Sequence, residues 1–294
     1  MPYLLLILTT LFWSGNFVLS RGMHADIPPF ALSFWRWVAA LLILACFGLR
    51  HLLAERELVA RHKKFLIIQG ILGVAGFNSF IYMAMQTTTA INAVLVNSCI
   101  PIIIVLISWI GYKDRLSVRQ CFGVATSLCG VMLIISRGDL ATLYHLQFNT
   151  GDILVFIAAI LWAQYSVNLK KYPRGLHPLT YQIAIVMVGL TFLLPLYLLE
   201  ISTGRILTVT ISTMITILYV AIFASVLAFI FWNRAVTMLG ANIAGPFIHL
   251  MPVFSTVLAV IFLGETLTGN HILAILLIFG GIFLTTFRIK KGRG

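Results

Sequence analysis

The chain has 294 residues, 61% of them hydrophobic and only 10% charged, with a mean hydropathy of +1.04. Soluble globular chains carry about 25% charged residues, so this composition excludes a water-soluble domain. The net charge of +12 would suit a nucleic-acid binder, but the basic residues sit in short loops between apolar runs; the expected partners are the lipid bilayer and a small-molecule substrate, with no nucleic acid.

A membrane helix needs about 20 mostly apolar residues, and ten segments qualify: 3–20, 30–49, 65–85, 91–112, 120–136, 153–169, 178–199, 211–233, 242–263 and 271–287. The first lacks a basic leader and a small-residue cleavage site, so it is expected to stay as a span. It carries Trp13 and Asn16 at i, i+3, an aromatic beside an amide on one helix face. Span two holds Arg36, about 9 Å from its outer end along a helix. That guanidinium either snorkels outward or pairs with a carbonyl or a substrate carboxylate; a structural or gating role is favoured.

Span three has Asn78 and Tyr82 at i, i+4, and span four has Asn97 and, near its middle, Pro101. Gly123 and Gly130 thin one face of span five. Span six carries Trp162, Gln164 and Tyr165, and span eight Trp232, which suits either the path or an interfacial belt. Span nine has His249 and Pro252, and span ten Gly280 and Gly281. Prolines remove a donor and kink a helix, so Pro101 and Pro252 are read as shaping the path, as hinges or as fixed bends. Polar groups within a span either bond a neighbouring helix or face a water-filled path. The substrate-binding set expected on this basis is Asn16, Asn78, Tyr82, Asn97, Trp162, Tyr165, Trp232 and His249. The four cysteines, Cys46, Cys99, Cys121 and Cys129, lie in apolar runs without CxxC spacing and read as small core residues.

Positive charge sets the direction of the spans. Arg50, Arg56, Arg61, Lys63, Lys64, Lys113, Arg115, Arg119, Lys170, Lys171, Arg174, Arg234, Arg288, Lys290, Lys291 and Arg293 fall on one side, and Arg21, Arg137 and Arg205 on the other. A split of 16 to three predicts both termini in the cytoplasm of a multi-pass protein in the plasma (bacterial inner) membrane.

The two halves also repeat. At an offset of 149, Trp13 lies over Trp162, Pro29 over Pro178 and Phe80 over Phe229; at 151, Pro101 lies over Pro252, Asp114 over Glu265 and Gly130 over Gly281. Each copy has five spans, and an odd number turns the second copy upside-down. The expected fold is an all-α polytopic membrane protein of ten helices in two inverted five-helix repeats, 1–137 and 150–288, followed by a basic cytoplasmic tail, 289–294. Inverted repeats place a substrate site near the midplane between the halves.

Trp13-Ser14-Gly15-Asn16-Phe17, Phe34-Trp35-Arg36, Gly264-Glu265-Thr266-Leu267-Thr268 and Gly280-Gly281 resemble the drug/metabolite transporter superfamily, in its ten-span EamA-domain branch. The resemblance implies transport of amino acids, other small metabolites or drugs, and leaves spans five and ten outside the path. The first repeat departs from it, with Lys113-Asp114-Arg115-Leu116-Ser117 where Gly-Glu-x-Leu-Thr is typical.

The chain has no HExxH, GxSxG or GxxxxGK[ST], so neither an enzyme nor an ATP-driven pump is expected, and no catalytic residue, metal or cofactor. The expected function is secondary transport, by alternating access, of a small organic metabolite with an apolar part, an amino acid, as an exporter or facilitator. A lipid flippase is the alternative. The oligomeric expectation is a monomer or a homodimer. None of the eight acids lies in a span's interior, so proton coupling would fall to His249, whose ordinary pKa lies near 6.5. An uncoupled or exchange mechanism is therefore favoured.

Overall fold

Backbone inside a bilayer must bond to itself, which makes helices of uncharged runs about 20 residues long. The computed structural model of the chain describes residues 1–23, 26–88, 90–136, 138–139, 141, 144–145, 149–263 and 269–286, and the regular structure among them is all helical. Gly264 to Thr268, Arg137 and the 289–294 tail lie outside the described residues.

The helices are α1 (Pro2–Gly22), α2 (Pro29–Ala54), α3 (Lys63–Ala84), α4 (Ala90–Asn97, then Ile100–Tyr112), α5 (Val118–Ser136), α6 (Thr150–Lys171), α7 (Pro178–Ser202), α8 (Ile211–Leu239), α9 (Ala241–Leu263) and α10 (Gly269–Thr286). A short helix, Arg56–Arg61, follows α2. Among the described residues, nine helices, α2 to α10, contain a run long and apolar enough to cross a bilayer. Helix α1 coincides with the first apolar run and has 21 residues. The chain is a polytopic membrane protein, and its outer surface is correspondingly apolar: Leu42, Phe47, Ile110, Phe122, Leu199, Leu276 and Phe283 are all exposed. Cys46, Cys121 and Cys129 are exposed as well, and only Cys99 is half-buried. Three cysteines expected in the core thus lie on the outer surface, where a small apolar thiol costs little in contact with lipid.

Helices from the two halves pack on one another: α1 on α8, α3 on α6, α2 on α7, α4 on α9 and α5 on α10. The α2–α7 pair runs antiparallel and is tied at both ends. The Glu200 carboxylate, near the end of α7, accepts from Phe30 N (3.1 Å) and Ala31 N (2.7 Å) at the start of α2. At the other end Glu55 accepts from His177 N (2.9 Å), and His177 Nδ1 caps α7 at Leu179 N. Each acid meets the unsatisfied donors and positive pole of a helix N-terminus.

Helix α5 opens with a reciprocal cap. Gln120 N donates to Ser117 Oγ, and Ser117 N donates to Gln120 Oε1, the Ser-x-x-Gln box that starts a helix. Its Gly123 lies against α10. A Cβ at Gly123 would sit 2.6 Å from Gly281 O, and one at Gly281 would sit 2.4 Å from Gly123 O. Backbone on both sides leaves nothing to rotate away. Gly281→Val should therefore destabilise the protein by about 1–3 kcal/mol through overpacking, while Gly280→Val, with nothing within 4 Å, should be neutral. Thermal unfolding in detergent compares them. Equal melting temperatures would remove the α5–α10 contact as a source of stability.

Two pairs of helices are irregular at matching places. Helix α3 becomes a π-helix over Gly70–Gly76, and α8 does so over Val220–Leu227, close to the 149-residue offset. Helix α4 breaks at Ser98-Cys99, and α9 narrows to a 3-10 turn over Gly245–His249. Both breaks precede the paired prolines, Pro101 and Pro252. Irregular backbone at this depth is tolerated where protein buries it or a cavity accepts it, and π-turns collect at functional sites.

Candidate transport cavity and its two polar layers

The four irregular helices surround a cluster of rings. Trp13 of α1 meets Trp162 of α6 edge-on, with centroids 5.0 Å apart at 88°. Trp162 also packs on Phe77 (4.9 Å), Phe229 (5.3 Å) and Trp232 (5.7 Å). Such contacts add about 0.5–1.5 kcal/mol each beyond area burial. Trp13 Nε1 donates to Ala224 O (3.2 Å), a carbonyl within the α8 π-turn.

A small cavity of about 20 Å³ sits in this cluster, with room for a water molecule. Trp13, Trp162, Phe77 and Phe229 give it aromatic walls, Ile81, Ile100, Ile248 and Met251 aliphatic ones, and Asn16, Asn78 and Asn97 its polar groups. Apolar walls with a few placed polar groups suit an amphipathic ligand.

A hydrogen-bonded layer lies on each side of the cluster. The first is built on Arg36, which is fully buried. Its Nε donates to Ser225 Oγ (2.8 Å), and its Nη1 to Asn78 Oδ1 (3.0 Å) and to the Tyr82 hydroxyl. Tyr82 in turn donates to Asn16 Oδ1 (3.3 Å). The guanidinium also lies over the Trp37 ring, 5.0 Å from its centroid. Arg36 therefore does not snorkel: it crosses between α2, α3 and α8.

The second layer involves α3, α6, α7 and α8. Tyr165 donates to Asn233 Oδ1 (2.7 Å), and Asn233 Nδ2 donates to Gln182 Oε1 (3.2 Å). Gln69 Nε2 donates to Tyr165 O and to the Tyr181 hydroxyl, both at 3.1 Å, and Asn168 Nδ2 donates to Gln69 Oε1. Exchanging the repeats turns α1, α2, α3 and α8 into α6, α7, α8 and α3. The two layers thus use equivalent helices, and Asn16 and Tyr165 are counterparts at offset 149.

Larger cavities open on the second layer's side, at the end that carries the basic loops. One, of about 390 Å³, reaches Tyr181 and Asn233 past Tyr172 and Arg234. Another, of about 740 Å³, is lined by Lys113, Asp114, Arg115, Lys170 and Arg174 among others, with Lys170 paired to Asp114.

Of the residues singled out from sequence, Asn16, Asn78, Asn97 and Trp162 are brought together around the central cavity. Tyr82 belongs to the first layer and Tyr165 to the second. Trp232 is fully buried and donates to Ser166 Oγ (3.1 Å), so it backs the ring cluster and is not an interfacial belt residue. His249 lies where α4, α5 and α9 meet, outside the central cavity's lining. Its Nε2 bonds Ser98 O (3.0 Å) and its Nδ1 bonds Ser127 Oγ (2.7 Å). A carbonyl only accepts, so Nε2 carries the hydrogen. His249 thus satisfies the carbonyl freed by the α4 break. Sequence reasoning passed over Gln69, Gln182, Asn233 and Ser225, although three of these are amides within or at the edge of apolar runs, the signal that singled out Asn78. Asp152 and Glu200 are buried but sit at helix ends; Asp152 accepts from Thr88, Asn92 and Asn149 N.

The profile of the EamA-like transporter family matches residues 1–136 and 149–287. An uncharacterized transporter of Archaeoglobus fulgidus is 28% identical over 97% of this chain and 96% of its own length. A probable amino-acid metabolite efflux pump of Salmonella typhimurium is 28% identical over 98% and 96%, and the uncharacterized transporter YyaM of Bacillus subtilis is 24% identical over 87% and 84%. One solved crystal structure superposes with a TM-score of 0.77 over 97% of this chain and 96% of its own, at 21% identity, a likeness of fold. With the family profile covering nearly all of its length in two successive matches, the chain belongs to the EamA-like transporter family.

Proposed function

We propose that the chain is a secondary transporter that moves a small organic metabolite with an apolar part, an amino acid, across the cytoplasmic membrane by alternating access. The observation that carries this reading is the closed ring cluster between two polar layers built from equivalent helices. A cavity of about 20 Å³ is too small for such a cargo, so the layers must part to admit it. If α1 is counted as a tenth span, the antiparallel α2–α7 pair follows from two five-span copies in opposite orientation. The copies then give two related closures of one path. The 16-to-three charge split puts both termini and the large basic cavities in the cytoplasm, which suits loading from inside and export or facilitated exit. His249, with both ring nitrogens engaged in packing, gives little support to a proton relay, and an uncoupled or exchange mechanism fits better.

The test is counterflow in proteoliposomes across a panel of amino acids, with and without a pH gradient, on protein whose terminal tags have been located by protease accessibility. Exchange of at least one amphipathic solute, unchanged by pH, is expected. Movement of phospholipid alone would install the flippase reading, and tags on opposite sides would overturn the inverted repeat.

A further inference from the structure

Arg36 and Asn97 each hold hydrogen-bonding capacity that the protein leaves unspent. Arg36 is buried among the spans, yet none of the ion pairs among the described residues involves it; these are Arg61 with Glu57 and Lys170 with Asp114. Three of its five N–H groups are used, on Ser225, Asn78 and Tyr82. Among the described residues, no hydrogen bond uses either Nη2 hydrogen. A buried cation surrounded only by neutral dipoles favours an anion nearby, and an intramembrane charge normally finds such a partner. Four of the described acids are committed elsewhere: Asp152 and Glu200 to helix starts, Glu55 to His177, Asp114 to Lys170. Asn78, one hydrogen bond from the guanidinium, lines the central cavity.

Asn97 supplies the opposite demand. It is 6% exposed, it lines the central cavity, and its Oδ1 is buried without a hydrogen-bond partner among the described residues. An orphaned buried acceptor is costly, and a ligand donor would relieve it. Asn97 ends the first part of α4, immediately before the break at Ser98-Cys99, so the acceptor is placed by the irregular backbone.

We propose that the central cavity reads both ends of an α-amino acid: the spare N–H groups of Arg36 attract the carboxylate, Asn97 Oδ1 accepts from the ammonium, and the Trp13–Trp162 rings hold the side chain. This rests on the small-metabolite reading above and narrows it to zwitterions over amines, amides and simple acids. Asn78 both lines the cavity and bonds the guanidinium, so a carboxylate that reaches the spare Nη2 hydrogens shifts Asn78, and recognition and loosening of the first layer are the same event.

Tryptophan-fluorescence titration of the purified protein tests it with two ligand series. L-Leucine and L-phenylalanine are each compared with their carboxamides, which lack the carboxylate, and with their N-acetyl and des-amino forms, which lack the ammonium. Removing either end should weaken binding at least tenfold. Asn97→Ala should abolish discrimination against the N-acetyl and des-amino forms only, and Arg36→Lys, which keeps the charge but loses the fork, should reduce the preference for carboxylate over carboxamide only. If Arg36→Lys fails to fold, the ligand series on the unmodified protein and on Asn97→Ala still decides. Carboxamides or des-amino acids binding as tightly as the parent amino acids would overturn the proposal and leave the transporter reading intact. Binding of none of these compounds would overturn the proposal, and the counterflow panel would then decide the transporter reading separately.

Discussion

Trp162→Ala should abolish transport. The Trp162 indole is 1% exposed and touches the rings of Trp13, Phe77, Tyr165, Phe229 and Trp232. Truncating so large a side chain in a packed site costs about 3–5 kcal/mol through lost transfer energy and the void left behind. Here the void also merges with the central cavity, so the closed cluster loses its shape. Counterflow should fall to the protein-free background, and the melting temperature should drop. Trp162→Phe separates the two effects: it keeps an aromatic wall, and should restore most of the stability and part of the transport. Trp162→Ala protein that exchanged solute at the unmodified rate would show that cargo passes elsewhere.

The helical, membrane-spanning character was legible because hydropathy is a sum over about 20 residues, and no single residue decides it. The repeat marked Trp13 and Trp162 as equivalent positions, since two tryptophans at offset 149 are a rare coincidence in an apolar chain, but that the two rings touch was not legible. The π-turns at Gly70–Gly76 and Val220–Leu227 left no such mark: adding one residue to a helical turn changes neither composition nor hydropathy. The two prolines pointed to bends in α4 and α9. The breaks themselves lie a few residues earlier, at Ser98-Cys99 and Gly245–His249, because proline at the start of a helix removes a donor that would be unsatisfied there anyway. The polar layers were half legible. An amide in an apolar run announces that it must bond something, but its partner is fixed only when helices far apart in sequence meet, as Asn233 meets Tyr165 and Gln182. His249 shows the limit of that signal: the same polarity that suggested a lining role is spent on Ser98 and Ser127.

The two layers should also be separable by substitution, with opposite outcomes. Asn233→Ala removes the group that joins Tyr165 of α6 to Gln182 of α7, and leaves those two side chains to be solvated from the basic-end cavity that already reaches this position. Asn78→Ala removes the acceptor on which Arg36 Nη1 rests and loosens the other layer. A buried hydrogen bond whose partner is left unsatisfied is worth about 1–3 kcal/mol, and each 1.4 kcal/mol shifts a two-state equilibrium roughly tenfold. A single cysteine at Met251, which lines the central cavity, can report the shift once Cys46, Cys99, Cys121 and Cys129 are replaced. With Asn233→Ala, a membrane-impermeant thiol reagent should label this cysteine about tenfold faster from the side of the basic loops. With Asn78→Ala, the gain should appear from the opposite side. The first change is expected to be the larger, because Tyr181 and Asn233 of the second layer already line an opening of about 390 Å³. Acceleration from the same side by both substitutions would mean that the layers are not opposing closures, and alternating access through this cluster would have to be abandoned.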